Sequence, residues 1–152
     1  FLYILYVIRI WEVVTMAIRR IPNDTETFMY HNENPKNNRA GDCVVRALAA
    51  ATGDSWETVL TDLTEIALKL KMMPNDKKTY AKYLEVKGWE KQKQPKKPNG
   101  TKYTGAEFVK LINDTVIAHI GGHHIVCIKD HKVLDTWDST DGCIGNYWIK
   151  RG

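Results

Sequence analysis

The sequence predicts an α+β domain, and three observations predict it. Between Asp42 and Ile112, strong helix formers recur at helical spacing behind recognisable caps. From Thr115 onward the chain turns to short β-branched and aromatic runs separated by Gly- and Asp-containing turns. The 152 residues, 43% hydrophobic and 26% charged, suffice for one domain and fall short of two. Aromatic residues make up 10% of the chain, so burial can offset the entropy of folding and a disordered chain is excluded.

The elements come in order along the chain. Residues 1–15, FLYILYVIRIWEVVT, hold the strongest apolar run, which Arg9 interrupts after eight residues, too few to span a bilayer. No basic segment precedes the run and no small-residue cleavage site succeeds it, which argues against a secretory signal. Back-translated, Trp11-Glu12-Val13 accommodates the purine-rich GGAGGT of a bacterial ribosome-binding site just upstream of Met16. Residues 1–15 are therefore expected to be translated leader, and residues 16–152 the native domain. Met16 to Asn38 reads as a polar arm in which Thr27-Phe28-Met29-Tyr30 forms a strand or a staple.

Asp42 to Gly53 predicts a short, buried helix, with Asp42 as N-cap, Cys43 in the first turn and Gly53 as terminator. Asp54, with Glu57 three residues on, opens a second helix whose Trp56, Val59, Leu60, Leu63, Ile66, Ala67 and Leu70 share one face. Pro74-Asn75-Asp76 begins a third, with Tyr80, Tyr83 and Leu84 inward and Gly88 as stop. Lys91 to Lys102 holds five lysines and no acid, so the rest of the chain carries −1 of the net +4. Pro95, Pro98 and Asn99-Gly100 make that run a solvated, flexible loop. Only Tyr103 stands beside it for stacking, so a nucleic-acid interface ranks last among the functional readings. Thr104 to Glu107 opens a fourth helix with Phe108, Leu111 and Ile112 on its apolar side. Strands are predicted at 115–120, 124–129, 132–138 and 146–149, with Asp130-His131 as a two-residue turn.

Cys43, Cys127 and Cys143 are an odd number of thiols at unrelated spacings, which suits neither a disulfide framework nor a paired zinc site. Reduced thiols in the cytoplasm are expected, with no cofactor. No metal is expected either, because no helical pair of histidines supports Cys43, His123, His124 and Asp135 as a zinc set.

A thiol attacks as thiolate, and a helix N-terminus and a neighbouring imidazolium both favour that form. Cys43 has the first by position, although Asp42 beside it opposes the field. His124 opens a strand. If Asp130-His131 is a tight turn, opposite residues sum to 261, and Asp135 lies diagonal to His124 on the same face. A three-residue turn puts Asp138 directly across instead, and a slipped register would bring in His123. Either aspartate would hold the imidazole by one nitrogen and leave the other for the thiol.

This order of residues resembles the papain-like superfamily of cysteine peptidases, over roughly Asn34 to Trp148. Gly122-His123-His124-Ile125-Val126 is similar to the Gly-His-apolar strand start of bacteriocin-processing and related bacterial members. The resemblance implies N-terminal helices, one bearing the nucleophile, packed on a C-terminal antiparallel sheet that bears the histidine and its Asp. It also implies an oxyanion donor upstream of the nucleophile. Asn37, six residues before Cys43, stands near the place where the family often carries Gln, with Asn38 or the Cys43 amide as alternatives. The chain departs from the family in having no Cys-Trp pair and no room for a second barrel or a propeptide. The segments HNENPKNNRAGDCVVRA and MPNDKKTY are also similar to small proteins of Firmicutes and their phages.

The residues and the resemblance together imply a cysteine hydrolase of the bacterial cytoplasm, a peptidase, isopeptidase or amidase. It would act on a peptide or protein through Cys43, His124 and Asp135 or Asp138, by way of a thioester. The alternative is an inactive phage or prophage protein of the same fold that binds a host partner. No membrane association is expected.

Overall fold

The β-branched runs of the C-terminal half pair into the centre of a sheet. A computed structural model describes residues 21–38 and 40–152. The expected leader lies outside the described residues. The strands are β1 (Phe28–Tyr30), β2 (Trp89–Gln92), β3 (Val116–Ile120), β4 (His124–Lys129), β5 (Lys132–Asp135) and β6 (Ile144–Lys150). They lie in the order β1-β5-β4-β3-β6-β2. Among the described residues the helices are α1 (Cys43–Thr52), α2 (Trp56–Leu70), α3 (Lys77–Val86) and the single turn α4 (Gly105–Phe108). The molecule is thus α+β. Its sheet, however, is mixed rather than antiparallel, because β1 from the N-terminal arm pairs in parallel with β5. A second early strand, β2, closes the other edge against β6.

Side chains alternate across the sheet and divide the core into two layers. On one face Ile117, Ile125, Trp148 and Trp89 pack against α1, α2 and α3 through Val44, Leu48, Val59, Leu63, Tyr83 and Leu84. On the other, Val116, Ala118, Ile120, Val126, Ile128 and Val133 meet Phe108 and Val109. Alanines in α1 let that helix lie close to β4. Gly53, at φ 80°, ends it, and its amide donates to the Ala49 carbonyl at 2.9 Å.

The fold corrects several sequence expectations. Ser55, not Asp54, caps α2, its hydroxyl accepting from the Thr58 amide. Asp42 occupies the N-cap position of α1 but its side chain makes no capping bond. The fourth helix stops after one turn and leaves Leu111 56% exposed, although Thr104 and Glu107 do form the capping box. The third predicted strand ends at Asp135, because residues 136–140 turn away to meet α4. The lysine run is not a loop throughout: Lys91 lies in β2, and Lys96 bridges Lys102 across a turn.

Candidate active site

Cys43 opens α1 and is half-buried. The chain reverses between β3 and β4 through Gly121 and Gly122, at φ 60° and 96°, a conformation that glycine adopts without steric cost. That reversal makes His124 the first residue of β4, paired with Ile120. Asp130 and His131, both at positive φ (51° and 59°), form the two-residue turn into β5, and the His131 Nδ1–H donates to the Val109 carbonyl at 2.9 Å. Lys129 pairs with Lys132 and Cys127 with Leu134, so opposite positions sum to 261. Asp135 therefore stands diagonal to His124, and its Oδ2 is hydrogen-bonded to His124 Nε2.

With Nε2 engaged by Asp135, Nδ1 is the ring nitrogen left for the Cys43 thiol. Burial opposes ionisation of Cys43. The hydrogen bond and charge of His124, the Ile125 backbone amide and the Arg46 guanidinium together outweigh it, and the thiol pKa falls below its ordinary value. Burial likewise disfavours the His124 imidazolium, yet the bonds to Asp135 and Cys43 overcome this and push its pKa up to about 9. The two shifts are complementary in direction, each partner favouring the charged form of the other. Cys127, by contrast, is buried in β4 with its thiol pushed up to about 12, and Cys143 is exposed.

Asp135 is itself held from several directions. The Thr136 amide donates to Oδ1 at 2.7 Å and the Ser139 hydroxyl to Oδ2 at 3.3 Å. The Arg46 guanidinium lies 3.7 Å from Oδ1. Arg46 also faces Asp42 at 3.4 Å, and Asp42 Oδ2 accepts from Asn34 Nδ2 at 3.1 Å and Trp56 Nε1 at 3.0 Å. The carboxylate that opposed thiolate formation in the sequence is thus turned into a buried network instead of toward Cys43.

Other candidates fall outside this cluster. His123 is an exposed turn residue. Asp138 is exposed and accepts from the Thr140 amide and hydroxyl at 3.0 and 2.6 Å, closing a local turn. Asn37 is exposed at φ 53°, its amide donating to the Asn34 carbonyl at 2.9 Å, and no hydrogen bond among the described residues joins it to Cys43. Arg46, Ser139 and the Ile125 amide escaped sequence reasoning. Only Arg46 had a signal, as the i+4 partner of Asp42.

Two open clefts border Gly121. One, of about 260 Å³, is lined by His124, Trp137, Asp138, Ser139 and Asp141. Trp137 is 50% exposed, its ring 5.1 Å from that of His124. The other, of about 500 Å³, is lined by His119, Gly122, Gln94, Lys102 and Asn146. Among the described residues no group of three or more His, Cys, Asp or Glu is arranged to hold a metal, and no helix is long and apolar enough to cross a membrane.

The chain matches no family model, no curated protein and no solved structure.

Proposed function

We propose that the chain is a papain-like cysteine hydrolase that cleaves a peptide, isopeptide or amide bond in a peptide or protein. One observation carries the reading: a thiol at a helix N-terminus, its pKa lowered by a neighbouring imidazole that is itself hydrogen-bonded to a buried carboxylate, stands beside an open cleft lined by that imidazole. The packing of α1 on the sheet that bears His124 and Asp135 supports the papain-like form of the α+β fold. Three unpaired thiols suit a reducing bacterial cytoplasm.

In this mechanism the Cys43 thiolate attacks the acyl carbon while Asp135 holds the imidazolium in line. His124 gives its proton to the leaving amine, and a thioester remains. His124 then takes a proton from water, which attacks the thioester and frees Cys43.

The test is the pH dependence of Cys43 alkylation by iodoacetamide, with Cys127→Ser and Cys143→Ser in the background. Alkylation is expected to half-saturate well below the free-thiol pKa of about 8.5 and to return to an ordinary profile in His124→Ala. A thiol that titrates normally, and is indifferent to His124→Ala, would overturn the hydrolase and leave a non-catalytic fold that binds a host partner.

A further inference from the structure

The thiolate and its imidazole supply a nucleophile, but acyl transfer also needs a donor for the oxygen on which charge develops, and Asn37 makes no hydrogen bond toward Cys43 among the described residues. A polar pair that the triad does not use lies in the layer against which Cys43 packs. Tyr80 of α3 is 3% exposed, and its hydroxyl is 2.6 Å from His119 Nε2. His119 pairs across the strands with Ile125, the residue whose amide helps to lower the Cys43 pKa. Cys43 packs against the buried cluster that contains Tyr80, Ile125 and Trp148. Trp148 fixes both rings edge-on, its ring 6.0 Å from Tyr80 and 5.2 Å from His119. His119 lines the 500 Å³ cleft. A hydroxyl held this firmly, in the layer against which Cys43 packs and bonded to a histidine that lines a cleft, is placed as a preorganised donor.

Resting on the hydrolase reading, we infer that Tyr80 is the oxyanion donor of this site and that His119 is its positioning residue. His119 carries its proton on Nε2 and donates to the Tyr80 oxygen, which leaves the hydroxyl hydrogen free for the substrate oxygen and strengthens it as a donor. The protonation states agree. Burial, then the charges of Lys77, Lys91 and His123, push the His119 pKa down to about 4, so the ring is neutral. Burial, with the Cys43 thiolate and Asp76 adding to it, pushes Tyr80 up to about 12, so the hydroxyl keeps its proton.

Two electrophiles separate this role from thiolate formation. Iodoacetamide reacts by displacement: sulfur bonds carbon, iodide leaves, and no oxyanion forms. With p-nitrophenyl acetate, sulfur bonds the acyl carbon and the carbonyl pair moves to oxygen. The pair then returns as the ester C–O bond breaks and p-nitrophenolate leaves. In the Cys127→Ser, Cys143→Ser background, Tyr80→Phe is expected to slow the nitrophenolate burst on the order of tenfold to a hundredfold. The rate and pH profile of alkylation stay where they were. His119→Gln, whose side-chain amide still donates to the Tyr80 oxygen, keeps most of the burst, and His119→Leu loses it as Tyr80→Phe does. Equal slowing of both reagents in Tyr80→Phe, or of neither, would overturn the oxyanion role, and His119→Leu behaving as His119→Gln would remove the positioning role. A parent protein in which Cys43 meets both reagents as an ordinary thiol would overturn the hydrolase itself, a result distinct from either.

Discussion

Asp135 and Asp138 are three residues apart, and the turn before β5 determines which of them His124 meets. A two-residue turn brings Asp135 to the ring, where Thr136, Ser139 and Arg46 also reach it. Asp138 is spent on its own turn with Thr140. Asp135→Asn is therefore expected to raise the Cys43 pKa and to lower alkylation at neutral pH, by up to about tenfold for each unit that the pKa rises. Asp138→Asn, whose amide oxygen can still accept from Thr140, leaves the alkylation profile unmoved, and iodoacetamide kinetics on both variants check the contrast. The same shifts set the pH window of hydrolysis. Turnover should rise through the lowered Cys43 pKa as the thiolate forms. It should fall again near pH 9 as His124 loses the proton it must give to the leaving group, a bell that a pH–rate profile resolves. Cys43, His124 and Asp135 were legible in the sequence because each belongs to a local pattern: a helix start, a strand start and a countable register. Asn37 was a matter of offset alone, and after the turn at Pro35-Lys36 it stands exposed. Tyr80 and His119 gave no signal, since their meeting joins residues 39 positions apart.

The elements hold these side chains through close backbone contacts. The start of α4 is bonded to the segment after β5, Gly105 N–H to the Gly142 carbonyl and Ala106 N–H to the Thr140 carbonyl, each at 2.9 Å. That segment carries Ser139 to Asp135. A Cβ on Gly105 would fall 2.8 Å from Ile120 Cδ1 and 3.1 Å from the Thr140 backbone. Ile120 can swing aside; the Thr140 backbone cannot move without drawing Ser139 off Asp135. Gly105→Ala is thus expected to cost roughly 1–3 kcal/mol and to weaken thiol activation as well, read by denaturant unfolding and alkylation together. The capping box at Thr104 and Glu107 was readable from residue type, and it formed. The length of the helix behind it was not. Periodicity at Phe108, Leu111 and Ile112 describes a face without saying whether anything covers it, and nothing among the described residues buries Leu111.

Across the whole molecule, the sheet lies between two layers of core with α1 on one of its faces, and the edge strands β1 and β2 precede the four central strands in the chain. Phe28 is fully buried on β1, and Tyr30, two residues on, pairs with Asp135, whose carbonyl accepts from the His31 amide at 2.8 Å. Phe28→Ala is expected to cost about 3–5 kcal/mol, and by loosening the strand that backs Asp135 it should also raise the apparent pKa of Cys43. A melting curve and the alkylation profile would show the two effects together. The parallel docking of β1 was invisible in the sequence, because three apolar residues specify neither a partner nor a direction. Local patterns of residue type by themselves determined the α+β class, the helices around Cys43, the β4–β5 hairpin and the face shared by His124 and Asp135. These depend on caps, turn residues and the period of two, which act within a few residues of one another. Tertiary structure alone decided that α1 sets its first residue against the first residue of β4, that Asp42 turns from the thiol into a buried network, and that Tyr80 and His119 meet beside it. Those outcomes depend on which apolar faces cover one another, and burial is a property of the assembled layers that short-range spacing does not encode.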